Sequence, residues 1–234
     1  MPARLYLIPN FLTAEAGIDA ISSYIINIVK NLRYFMVEEE RSARRFLRKF
    51  EPEFPLQECV FFELSEHTPF EKAQEFFNAH AKQDIGVIPE VGCPCVADPG
   101  AEIVLLAHQK GVEVVPLIGP SSILLALMAS GLNGQNFVFS GYLPKEGKER
   151  LAKIKELEKR SFLEGQAQIF METPYHNENL FKEIISVCEP NTLVTVACDL
   201  TAPTQYIKTL SVKEWQKTKV SLHKKPTIFL IQKR

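Results

Sequence analysis

The chain has 234 residues, of which 46% are hydrophobic and 24% charged, an ordinary globular composition that excludes a disordered segment as its main body. A formal charge of −1, from 27 basic against 28 acidic residues, excludes a global field that would hold a polyanion, so any nucleic acid must meet a local patch. The start MPARLYLIPNF lacks the pattern of a signal peptide, and no apolar run is long enough to span a membrane. A cytoplasmic location is therefore expected, and the five cysteines, at 59, 93, 95, 188 and 198, are expected as reduced thiols.

In chain order, Arg4 to Ile8 reads as a short strand stopped by Pro9 and Asn10. The spacing of Ile21, Ile25, Ile28, Val29 and Leu32 predicts a helix over 19–32. A strand at 34–37 and a basic helix at 40–50 follow, then a strand at 59–64 and a helix at 69–81. The strand 84–88 runs into the turn EVGCPCVADPG, residues 90–100. A helix at 101–109, a strand at 112–116 and a second turn, LIGPSS at 117–122, lead to a helix ending near Gly131. Alternating strands and helices predict an α/β fold with a largely parallel sheet, whose ligands sit at the carboxyl ends of the strands. The second half reads as strands at 137–140, 167–171, 192–197, 206–210 and 226–231, with helices at 145–163 and 174–187 and a short one near Trp215. The expected division is a mostly parallel N-terminal domain over 1–117 and a mixed-sheet C-terminal domain over 118–234.

Two turns stand out as candidate sites. In the first, Gly92 and Gly100 with Pro89, Pro94 and Pro99 suit a rigid loop whose backbone a ligand can approach, while Asp98-Pro99 suits the cap of the next helix. In the second, Ser121 and Ser122 begin a helix, where free N–H groups favour a polar or anionic ligand or a simple cap. Cys93 and Cys95 form a C-x-C without a second pair, and the five histidines follow no metal-binding pattern, so no metal is expected. Helix 41–50 gathers Arg41, Arg44, Arg45 and Arg48 largely on one face. That face suits RNA phosphates or plain solvation above an inward-packed Phe46, Leu47 and Phe50.

The order of these turns resembles the tetrapyrrole methylase superfamily, and within it the branch that methylates a ribose 2′-hydroxyl of a small-subunit ribosomal RNA cytidine. Pro89 to Gly100 is similar to S-D-A-G-T-P-x-I-S-D-P-G, Gly119-Pro120-Ser121 to G-P-S, and Ser130-Gly131-Leu132 with Phe137 to Pro144 to S-G-L-x-x-x-x-F-x-F-x-G-F-L-P. Looser likenesses join Val37 to Arg41 with A-E-D-T-R, Ile169 to His176 with I-F-Y-E-S-P-H-R, and Cys198 to Thr201 with R-E-L-T. The resemblance implies two α/β domains of tetrapyrrole-methylase type with S-adenosylmethionine in the cleft between them, a homodimer, and ribosomal RNA or a ribosomal subunit as substrate. It implies donor contacts at Pro9, Glu90, Gly92, Cys93, Pro94, Val96, Ser121, Ser122, Thr173 and Cys198. Glu38, Glu172 and Asp199 are candidate bases, with none singled out.

Departures from the family pattern bear on the acceptor. The first loop, Pro9 to Thr13, has no glycine where relatives carry T-P-I-G-N or G-x-G-P-G, and His176, Cys198 and Ala202 stand where arginine, arginine and lysine are expected. Fewer cations there leave open a homologue that binds the donor but serves another acceptor, or that has lost catalysis.

Overall fold

A computed structural model describes residues 3–65, 67–145 and 147–233. The chain divides into two units, Met1–Ser121 and Ser122–Arg234, where the sequence reading divides after residue 117.

The first unit is built on five strands: β1 (Arg4–Leu7), β2 (Tyr34–Val37), β3 (Val60–Glu63), β4 (Ile85–Ile88) and β5 (Glu113–Pro116). They lie in the order β3-β2-β4-β1-β5 and every pairing is parallel. Parallel strands need covered faces, and the all-apolar β4 (IGVI), buried throughout, lies at the centre of the order. Gly86 sits in β4 because a Cβ there would stand 2.6 Å from Ile8 Cδ1.

Helix α1 (Ser23–Val29) is shorter than predicted: Ile18–Ala20 makes one 3-10 turn and Ile21 is extended at φ −122°. The apolar spacing continues through the break because Ile21 is buried with the helical residues. Helix α2 (Glu40–Phe50) buries Ala43, Phe46, Leu47 and Phe50, spaced three and four apart, and its N-cap Glu39 accepts from the Arg41 and Ser42 amides. Helices α3 (Phe70–His80) and α4 (Ala101–Gln109) complete the layers of this unit, and Asp98 does not cap α4. Gly100 is the N-cap residue, at φ 124° and with no side-chain cap bond.

The second unit begins with α5 (Ser122–Ser130) and carries β6 (Phe137–Tyr142), β7 (Ala167–Met171), β8 (Leu193–Cys198), β9 (Tyr206–Ser211) and β10 (Thr227–Gln232) in the order β6-β7-β10-β8-β9. Strands β6 and β7 pair in parallel, while β10 runs antiparallel to both β7 and β8, and β9 antiparallel to β8. Helices α6 (Lys148–Glu164), α7 (Asn177–Val187) and α8 (Val212–Trp215) flank the sheet, and α6 stops at Gly165, left-handed at φ 60°. Its core packs Phe170, Phe229 and Trp215, whose indole N–H donates to the Val194 carbonyl at 2.8 Å. Among the described residues no helix is long and apolar enough to cross a membrane.

Candidate functional site

In a parallel sheet the loops after every strand leave from the same edge, so those after β1, β2, β4 and β5 gather at one end of the first unit. The loop after β1 is tied down by Asn10, only 4% exposed. Its backbone exchanges hydrogen bonds with Gly92, N to O at 2.8 Å and back at 3.2 Å. The side-chain amide also donates to the Pro89 and Glu90 carbonyls at 3.0 and 2.8 Å, and Oδ1 accepts from the Phe11 amide. Asn10 thus fixes a loop that contains no glycine.

The glycines of the two turns serve loop packing. Gly92, at φ 72°, holds the bridge to Asn10, and a Cβ on it would stand 3.3 Å from Leu12 Cδ2. At Gly119 a Cβ would collide with the ring of Pro9. A valine at 92 would therefore strain this bridge before it filled any ligand space. Cys93 Sγ lies 3.5 Å from the Pro120 carbonyl, and its thiol also meets the Ser121 hydroxyl, so the turns after β1, β4 and β5 form one locked assembly. Within it Cys95 and Ala97 adopt φ of 65°, a left-handed backbone that costs non-glycine residues roughly 1–3 kcal/mol and persists where packing imposes it.

Three carboxyl groups meet at the turn after β4. Glu38, just beyond β2, accepts from the Glu90 amide at 2.7 Å. Asp98 is pushed up to about 7, first by burial and then by the charges of Glu38 and Glu90. Sequence reasoning missed this group because a D-P-G run ahead of a helix looks like a cap. Burial also raises the neighbouring thiols, Cys95 to about 11, so they are protonated at neutral pH and poor as nucleophiles or thiolate ligands. Around these carboxyls the turns expose apolar surface at Val91, Val96 and Ile118, the last 89% exposed. The edge thus offers negative charge flanked by apolar contacts, an environment for a cation that carries a flat apolar group.

Of the other expected donor residues in this unit, Pro9, Gly92 and Pro94 are buried, Cys93 and Ser121 half-buried, and Glu90 and Val96 exposed. Ser122 opens α5 in the second unit. There the loops after β7 and β8 share a sheet edge, because both strands oppose β10. Thr173 is exposed at that edge and its amide donates to Glu172. Cys198, 1% exposed, is taken up by the core and shows a ligand almost no surface.

Two of the three candidate bases are committed to ion pairs. Glu172 accepts from the buried Arg150 at 2.9 Å, and Arg150 also holds Glu183. Asp199, left-handed at φ 51°, accepts from Thr204 Oγ1 at 3.0 Å and lies 3.3 Å from Lys225 Nζ. Lys225 thereby places a cation beside the loop that carries Cys198 and Ala202. Glu38 gives one oxygen to the Glu90 amide.

Residues 22–216 match the family model described as tetrapyrrole (corrin/porphyrin) methylases. The chain is 28% identical over 211 residues to the ribosomal RNA small subunit methyltransferase I of Vibrio cholerae, spanning 90% of this chain and 69% of the relative. The protein of the same name from Escherichia coli O157:H7 is 25% identical, with 98% and 77% covered, and that from Bacillus subtilis is 30% identical, with 73% and 55% covered. Among solved structures, diphthine synthase superposes with a TM-score of 0.69 at 14% identity, covering 98% of this chain and 89% of that one. The methyltransferase CobJ gives 0.64 at 17%, covering 98% and 94%. The chain belongs to the tetrapyrrole (corrin/porphyrin) methylase family, and is an S-adenosylmethionine-dependent methyltransferase.

Proposed function

We propose that the chain methylates a ribose 2′-hydroxyl of small-subunit ribosomal RNA, with the donor held at the turns after β4 and β5. The observation that carries the donor placement is the trio Glu38, Glu90 and Asp98 on a locked loop assembly, a fit to the sulfonium and ammonium charges of S-adenosylmethionine. The acceptor is supported by the likeness, over 90% of the chain, to a protein named for ribosomal RNA methylation.

S-adenosylmethionine supplies a methyl carbon bonded to a sulfonium sulfur, which the acceptor oxygen attacks in line as the carbon–sulfur bond breaks. The chain's own task is alignment and charge. Asn10, Pro9 and Gly119 keep the loops from moving. Val91, Val96 and Ile118 offer an apolar bed for the adenine, and Ser121 a hydroxyl. Glu90 and Asp98 balance the cation, and Asp98 gives up its proton as the donor arrives. The acceptor's proton passes to solvent or to a carboxylate that the acceptor itself positions. A homodimer in the cytoplasm belongs to the same proposal; Met128, 79% exposed on α5, offers apolar surface to a second copy.

The test is methyl transfer from labelled S-adenosylmethionine to purified small ribosomal subunits, with the modified nucleotide mapped and compared with RNA from a strain lacking the gene. One 2′-O-methyl group present only with the gene is the expected result. No transfer and an unchanged modification map would reject the acceptor.

A further inference from the structure

Next to the loop after β1 the first unit holds a cavity of about 360 Å³. Helix α2 lines it with Ser42, Arg45 and Lys49, three and four residues apart; Thr13, Glu90 and Val91 complete the part relevant here. Lys49 is already occupied: its Nζ donates to the Ala14 and Ala16 carbonyls at 3.0 and 2.6 Å and lies 4.2 Å from the centroid of Phe11. That ammonium pins the loop to the helix.

Arg45 is exposed and its guanidinium has no hydrogen bond or ion pair among the described residues. Its neighbours differ. Arg44 is held by Glu40 and lies over the Phe61 ring, and Arg48 donates to the Pro52 carbonyl. A more open hollow of about 540 Å³ continues along α2, with Arg45 and Arg41 in its lining.

We infer that this cavity takes a backbone phosphate of the acceptor RNA, with Arg45 as its bidentate charge partner; the inference rests on the RNA reading above. Three points carry it. A chain of net charge −1 needs a local cation for a polyanion, and Arg45 is an uncommitted one beside a cavity. The guanidinium fork matches phosphate geometry. Glu90 belongs both to the cavity wall and to the carboxyl trio, so a phosphate seated here keeps its nucleotide next to the donor loops.

The experiment measures binding of small ribosomal subunits to wild type, Arg45→Gln and Arg45→Lys across a series of salt concentrations, beside calorimetry with S-adenosylmethionine and methyl-transfer kinetics. Arg45→Gln should weaken subunit binding roughly tenfold and make the slope of log K against log salt shallower by about 0.7–1. Arg45→Lys should recover the slope but only part of the affinity, while the donor Kd stays at its wild-type value in both. Equal subunit affinity and slope in wild type and Arg45→Gln would overturn the inference and leave the RNA reading standing. A parallel loss of donor affinity would also overturn it, assigning the cavity to the donor's carboxylate. A wild-type protein that transfers no methyl group to subunit RNA rejects the RNA reading, and this inference with it.

Discussion

Replacing Asp98 with asparagine isolates the charge of the acidic turn. The folded carboxyl is raised from 3.8 to about 7, roughly a thousandfold in proton affinity, and at about 1.36 kcal/mol per factor of ten a wholly buried group would lose about 4 kcal/mol on ionising. Asp98 is only half-buried, so solvent screening reduces this to roughly 1–2 kcal/mol. The sign follows from proton uptake. Between pH 4 and pH 7 the folded state holds a proton that the unfolded state has lost, so stability falls as pH rises through this window and is lowest above it. The neutral amide of the variant carries no such penalty. Urea unfolding followed by far-UV circular dichroism should find Asp98→Asn equal to wild type near pH 4 and more stable by roughly 1–2 kcal/mol at pH 8. The single tryptophan, Trp215, lies in the second unit, so its fluorescence reports unfolding there beside the whole-chain circular dichroism signal. Donor binding should strengthen from pH 6 to pH 8 in wild type and lose that dependence in the variant. A variant no more stable than wild type at pH 8 would refute the reasoning, since it would mean that the ionised carboxylate carries no penalty in the folded chain.

Two further substitutions probe the scaffold. Gly119→Ala puts a methyl group into the rigid ring of Pro9, which has no rotamer to escape into, and should cost about 1–3 kcal/mol in urea unfolding; Gly134→Ala, with nothing within 4 Å, should be neutral. Arg150→Met removes the cation shared by Glu172 and Glu183 and should destabilise the second unit by about 3–5 kcal/mol, read from Trp215 fluorescence, with Glu183→Gln in the same background recovering part of the loss.

Much of the architecture was legible in the sequence because burial imposes a period. Ala43, Phe46, Leu47 and Phe50 mark the inward stripe of α2, and the unbroken apolar run of β4 marks a strand covered on both faces. The gathering of the loops after β4 and β5 was legible because parallel strands must release their loops at a single edge. What escaped depends on partners remote in the chain or on backbone turns that leave no period. Asn10 looks like a strand terminator, and its carbonyl partners lie 79 and 80 residues away. Asp98 looks like a cap, but left-handed Ala97 and the positive φ of Gly100 turn the chain so that the helix starts without it. The isoleucine spacing over 19–32 predicts one helix because an extended Ile21 can bury its side chain as well as a helical one. The loss of arginine at Cys198 looks like a loss of charge, yet Lys225, from the segment ahead of β10, stands beside Asp199.

The tie through Asn10 bears on how freely this part of the chain can change. With one amide joining the loop after β1 to Pro89 and Glu90, and Gly119 shaped around Pro9, these positions cannot drift independently. Putting a glycine at 10 would not give a loop of equal rigidity. It would remove the side-chain bonds to the Pro89 and Glu90 carbonyls and leave the backbone bridge to Gly92 to hold the loop alone. The first loop and the two turns are coupled as a set, and replacing any one of them alone should cost more than replacing all three together.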